Sequence, residues 1–198
     1  MQNLDVNHVL FWMDAIRNSK DPIRTLESFW KGQVYSKTWL IEQLTPFITN
    51  PVSIDICGGW NGVLASLIFQ SDIPVNSIRS IDIDPLCEYV AKIMNKQEEM
   101  QGRFQAITSD MCKLKYETDV IINTSCEHIS QDQYKQWLDN MPTDSLLVLQ
   151  SNNYNIPEHI RISNDLDEFK NQCNVKILWA GELELPLYTR FMIIGKNE

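Results

Sequence analysis

The spacing of apolar residues changes near residue 50 and divides the chain into two regions. Ahead of that point Val6, Val9, Leu10, Met13 and Ile16 recur every three or four residues, the period of an amphipathic helix. Asp21-Pro22 reads as a break, and a second helix is expected over Leu26 to Trp30. A third, from about Ser36, puts Leu40, Ile41, Leu44, Phe47 and Ile48 on one stripe, with Pro46 ending or kinking it. Standing before the first strand, these helices are placed to cover whatever site follows.

From residue 51 short apolar runs alternate with helical patterns. Strands are expected at Val52 to Ile56, Ile78 to Ile83, Phe104 to Thr108, Val120 to Asn123 and Leu146 to Gln150. Between them, helices are expected over Val63 to Ile68, after Pro85 through Met94, and over Gln131 to Leu138; another begins between Asn164 and Phe169. Two final strands, Val175 to Leu183 and Tyr188 to Ile194, are too close together for a parallel crossover and should pair antiparallel. This pattern predicts one domain over 1–198, with a helical cover at 1–50 and an α/β core at 51–198. The core is expected to be a Rossmann-like, mostly parallel seven-stranded sheet flanked by helices.

Composition narrows the function. Apolar residues make up 43% and charged residues 22%, a globular profile. The apolar runs are strand-sized, far below the roughly 18 residues of a membrane span. Asp5, His8 and Asp14 interrupt the N-terminal apolar residues, which do not read as a secretory signal. The formal net charge of −9, with no dense run of Lys and Arg, disfavours nucleic acid as a partner. The five cysteines, Cys57, Cys87, Cys112, Cys126 and Cys173, form no CxxC pair; reduced thiols in a cytoplasmic setting are expected. With His8, His128 and His159 scattered, no metal site is expected.

In open α/β sheets ligands bind beyond the carboxyl ends of the strands, where the strand order reverses. Asp55 lies among Val52, Ile54 and Ile56, where a carboxylate needs partners, and Gly58 and Gly59 follow it in a turn, so it serves either a ligand or the fastening of its own loop. The second strand ends Ile81-Asp82-Ile83-Asp84-Pro85. Asp84 is explained as the cap of the next helix, whereas Asp82 is placed to accept from both hydroxyls of a ribose. Asp110, beside Met111, would accept from an adenine amino group, or is simply a solvated loop residue.

These residues resemble the class I S-adenosylmethionine-dependent methyltransferases. The likeness runs through Asp55-x-Cys57-Gly58-Gly59, Asp82-Ile83-Asp84-Pro85, Ser109-Asp110, and Asp119-Val120-Ile121-Ile122 ending in Glu127-His128-Ile129. The closing hairpin around Leu185 to Gly195 is similar to that of the same fold. The resemblance implies an S-adenosylmethionine site formed by Asp55, Cys57, Gly58, Gly59, Asp82, Ile83, Asp110, Met111 and Asn123. Asp82 would hold the ribose, Asp110 the adenine, and the glycine turn the methionine part.

Glu127 and His128, which follow the fourth strand, are the acid–base candidates, set against a purely structural helix start. Asn152, Asn153, Tyr154, Tyr188 and Arg190 are the candidates for holding an acceptor. Arg190 would clamp a carboxylate or pair with Glu182 or Glu184, and Asn152 and Asn153 equally well form a turn. Lys37, near Gln33 and Tyr35, would meet the cofactor carboxylate if its helix covers the site. The expected reaction is methyl transfer to a small molecule or peptide side chain. The alternatives are another transferase or lyase using the aminobutanoyl group of the same cofactor, and a non-catalytic nucleoside-binding protein. A nicotinamide enzyme is disfavoured, because the loop lacks G-x-G-x-x-G.

Overall fold

The structure, a computed structural model, describes residues 6–197; Asp5 lies outside them. Seven strands, β1 (Val52–Cys57), β2 (Val75–Asp82), β3 (Phe104–Thr108), β4 (Val120–Asn123), β5 (Leu146–Asn152), β6 (Lys176–Glu184) and β7 (Thr189–Lys196), form one sheet. Their order is β3-β2-β1-β4-β5-β7-β6, with β7 antiparallel to both β5 and β6 and every other pairing parallel. The order reverses between β1 and β4, so the expected crevice opens beyond their carboxyl ends.

Helices α1 (Val6–Asn18), α2 (Pro22–Glu27) and α3 (Lys31–Leu44) precede the sheet. They are followed by α4 (Val63–Phe69), α5 (Pro85–Met94), α6 (Lys96–Met100), α7 (Gln131–Leu138) and α8 (Leu166–Cys173). Strand alternation divides the core in two. Ile54, Ile56, Val120, Ile122 and Val148 pack with α3 and α4, while Ile121, Leu147, Leu149 and Ile193 meet Tyr134, Trp137 and Phe169 from α7 and α8.

The N-terminal helices differ from expectation in three ways. The break at Asp21-Pro22 does fall between α1 and α2, but α2 runs Pro22–Glu27 rather than Leu26 to Trp30, because the Asp21 carboxylate accepts from the Arg24 amide at 3.0 Å and proline fits the first turn. α3 begins at Lys31, five residues ahead of Ser36; Pro46 does end it, in a 3-10 turn at Thr45–Phe47. On α1 the residues Val6, Leu10 and Met13 face solvent, while His8, Trp12 and Ala15 turn inward. Polar contacts hold that inner face: His8 with Glu98, and Trp12 Nε1 donating to Ser66 Oγ at 2.9 Å.

Asp55 is wholly buried at the centre of the sheet. Its register partner Arg79 donates from Nε and Nη2 to the two carboxylate oxygens, at 2.7 and 2.5 Å, and Thr118 Oγ1 donates to Oδ2 at 3.0 Å. Removing one member of such a pair leaves the other charge without compensation. Asp55→Ala is therefore expected to cost about 3 kcal/mol in urea unfolding, the low end of the range for buried pairs because Arg79 reaches solvent. A loss below about 1 kcal/mol would show that Arg79 rehydrates freely.

Candidate active site

A cavity of about 930 Å³ opens beyond the carboxyl ends of the strands, roofed by α2 and α3. The roof is fastened by polar contacts. Ser36 Oγ donates to Gln150 Oε1 at 3.2 Å, joining α3 to β5, and Arg24 pairs with Asp84 at 2.5 Å across the mouth. Trp30, at the start of α3, lies beside Tyr188 with ring centroids 6.4 Å apart.

One end of the cavity is acidic. Asp82, at the end of β2, accepts the Trp60 amide at 2.8 Å on Oδ2 and the Asp84 amide at 3.0 Å on Oδ1. Each oxygen keeps acceptor capacity for a ligand hydroxyl. The Trp60 bond also holds a non-glycine residue at φ +47°, in the left-handed region. Just before it, Gly58 has φ +64°, and a side chain at Gly59 would collide with Ser80 Oγ, so the loop closes tightly only with glycine. Asp110 caps a short 3-10 turn through the Cys112 amide at 3.0 Å, with Lys113 3.3 Å from its other oxygen. Ile83 lines the same end yet is 72% exposed, an apolar surface available to a flat ring, and Met111 also belongs to the lining.

The other end is built on Glu127. Its Oε1 accepts from Arg190 Nη1 at 2.9 Å and from Asn152 Nδ2 at 2.5 Å, with Glu127 only 2% and Arg190 4% exposed. Burial acts to lower the Arg190 pKa, but Glu127 and Tyr188 outweigh it, and the net shift is upward. Tyr154 and Tyr188 form an aromatic wall, 5.6 Å between centroids. Lys37 also reaches this end and donates to Gln33 Oε1 at 2.7 Å. Desolvation, then the neighbouring Arg190 charge, lowers its pKa to about 7.

Of the residues singled out from sequence, Gly58, Gly59, Asp82, Ile83, Asp110 and Met111 line the cavity, as do Glu127, His128, Asn152, Tyr154, Tyr188, Arg190 and Lys37. Asp55, Cys57, Asn123 and Asn153 lie outside that lining. Asp55 is taken by Arg79 and Thr118. Cys57 is buried 3.3 Å from the Tyr116 hydroxyl, its thiol pushed up to about 12, chiefly by burial. Asn123 accepts the Ser125 amide at 2.9 Å and so shapes the turn after β4. Asn153 accepts the Thr189 amide at 2.8 Å, joining the ends of β5 and β7. Arg190 pairs with Glu127, not with Glu182 or Glu184, because its side chain lies in the core rather than across the hairpin. Arg24, Trp30 and Trp60 also belong to the lining. Only the Trp60 loop position offered a sequence signal for any of them.

Glu127, His128 and His159 converge in the same cavity, and one ligand atom from each lies within 4.8 Å of the others. The scatter of histidines along the chain concealed this grouping.

Among solved structures the chain is similar to the S-adenosylmethionine-dependent methyltransferase SibL in its apo form, with TM-score 0.66, 12% identity, and 94% of this chain and 61% of that one covered. It is also similar to magnesium protoporphyrin IX methyltransferase (ChlM) from Synechocystis PCC 6803 with bound SAH, with TM-score 0.64, 11% identity and 96% and 94% covered. A third is MtNAS in complex with MTA and tNA, with TM-score 0.61, 14% identity and 96% and 70% covered. No family profile and no curated protein sequence matches the chain. At these identities the likeness is one of architecture: the chain has the fold of the class I S-adenosylmethionine-dependent methyltransferases. Among the described residues no helix is long and apolar enough to cross a membrane.

Lys37 generates a pH prediction. The folded state disfavours its protonated form, so between about pH 7 and its ordinary value of 10.5 the unfolded chain binds more protons. Wild-type stability should therefore rise with pH across that window relative to Lys37→Met, and the difference should level off below about pH 7. Urea unfolding of both proteins at about pH 7 and about pH 9.5 measures it; equal differences at the two values would refute the shift.

Proposed function

We propose that this protein is an S-adenosylmethionine-dependent methyltransferase acting on a small molecule or a peptide side chain. The observation that carries the reading is Asp82, fixed by two backbone amides at the end of β2 and lining the cavity beside the β1–β4 reversal. In this reading Asp82 takes the ribose hydroxyls, Ile83 and Met111 flank the adenine, and Asp110 accepts from its amino group. Lys37 and Arg190 supply positive charge for the cofactor carboxylate at the opposite end, and an anion there would favour protonated Lys37. When bound, the cofactor supplies an electrophilic methyl group on a sulfonium. The chain's own contribution is to orient and to exclude water: the α2–α3 roof covers the cavity, and Tyr154, Tyr188 and Asn152 form a wall for an acceptor. Alignment alone supplies much of the rate in such a transfer. Glu127, already engaged by Arg190 and Asn152, serves as a positioning residue in this scheme.

The MtNAS complex with MTA and tNA favours a second reading, transfer of the aminobutanoyl group from the same cofactor. The product separates the two: S-adenosylhomocysteine from methyl transfer, methylthioadenosine from aminobutanoyl transfer.

Thermal unfolding tests the cofactor. S-adenosylmethionine or S-adenosylhomocysteine at about 100 times its dissociation constant should stabilise the protein by roughly 2.7 kcal/mol, a rise of about 5–10 °C, while NAD should not. Asp82→Asn, which keeps the shape and removes the charge, should weaken binding at least about tenfold. No shift with millimolar adenosyl compound would rule out this assignment and leave the fold unaffected.

A further inference from the structure

We propose that Glu127, His128 and His159 form a binding site for a divalent first-row transition-metal ion. Two histidines and one carboxylate are a donor set suited to Zn²⁺ and its neighbours. The grouping is produced by the backbone. The main-chain oxygen of Glu127 accepts from the amides of both Ile160 and Arg161, at 2.9 and 3.1 Å, which draws the segment after β5 onto the turn after β4. Arg161 fastens that segment further through Gln131 Oε1, Cys126 O and Gln172 O. His159 is thereby brought edge-on to His128, ring centroids 4.7 Å apart.

Each donor is then oriented for an ion. His128 Nδ1 lies 3.1 Å from the Glu158 carbonyl, and His159 Nδ1 lies 2.7 Å from the Tyr154 carbonyl. A carbonyl only accepts, so both neutral rings carry their proton on Nδ1 and present the Nε2 lone pair. Metal-bound histidines are held in this way by an acceptor on the second ring nitrogen. Glu127 supplies the independent sign of a ligand: Oε1 is satisfied by Arg190 and Asn152, while Oε2 is buried with no hydrogen-bond partner. An orphaned carboxylate oxygen in so buried a residue is costly unless a cation or donor meets it. Metal–ligand bonds of about 2.0–2.2 Å set ligand atoms at most about 4 Å apart, so the ligand atoms, now within 4.8 Å of one another, must draw slightly closer to hold an ion.

Three protein ligands leave coordination positions open toward the cavity, next to Asn152 and Tyr154. The role of the ion there rests on the function proposed above; the site itself does not. An acceptor hydroxyl coordinated to the ion would release its proton to solvent, keep the O–H electron pair on oxygen, and be held as the metal-bound alkoxide.

The test is metal titration of chelator-treated, dialysed protein without any adenosyl compound, using Zn²⁺ by calorimetry and Co²⁺ by visible absorption. One ion per chain is expected, with affinity reduced at least about tenfold in His128→Ala and in His159→Ala and unchanged in His8→Ala. Thermal unfolding confirms that His159→Ala is folded, since it leaves the Glu127–Arg190 pair in place. No binding at millimolar Zn²⁺, or equal binding by wild type and both His128→Ala and His159→Ala, would overturn the proposal. Because the titration omits the adenosyl cofactor, a failure here is distinct from a failure of the methyltransferase reading.

Discussion

Glu127 is the junction on which the end of the cavity away from Asp82 is assembled. Its side chain joins β5 and β7 through Asn152 and Arg190, and its main-chain oxygen captures Ile160 and Arg161. Four donors from three parts of the chain thus converge on one residue of a short turn. A buried ion pair contributes little net stability, because desolvating both charges offsets most of their attraction. Its effect here is positional. It holds the turn after β4, the end of β5 and the last strand together at the edge of the crevice, with a tolerance that apolar packing alone would not impose.

The cavity is electrically asymmetric along its length. Asp82, Asp84 and Asp110 stand at one end, where Arg24 and Lys113 offset two of the three charges, and Lys37 stands at the other beside the Arg190–Glu127 pair. The N-terminal helices complete this arrangement: α3 brings Lys37 and Trp30, and α2 brings Arg24 to Asp84. Desolvation under that roof is also what lowers the Lys37 pKa, so covering the site and tuning its charge have the same physical origin. A polyfunctional ligand with hydroxyl and amino groups at one end and a carboxylate at the other fits this polarity.

Much of the sheet and most of the acidic end were legible in the sequence. Each strand was located by its own apolar run, although β2 begins at Val75 rather than Ile78 through the polar Asn76 and Ser77, and the Asp82 position stood out as a carboxylate between isoleucines at a strand end. Other features were not legible. The five-residue α6 follows α5 with no apolar period of its own, and α1 packs by His8, Trp12 and Ala15 while Val6, Leu10 and Met13 of the expected stripe face solvent. Asp55, another carboxylate among apolar strand residues, carried a similar signal, and Asn123 was implied only by the family resemblance. Their partners, Arg79 and the Ser125 amide, consume them for structure.

Local chemistry determined what the sequence could determine alone: element type from apolar period, the start of α5 from Asp84-Pro85, and the tight turn from Gly58 and Gly59. These depend on residues a few positions apart, whose geometry backbone sterics largely dictate. Tertiary structure decided which polar groups meet. Glu127 finds Arg190 63 residues away, and His159 reaches His128 only because a distant carbonyl captures its loop. Such pairings follow from strand order and burial, and a side chain's pattern along the chain carries no record of the partner that the fold will set against it.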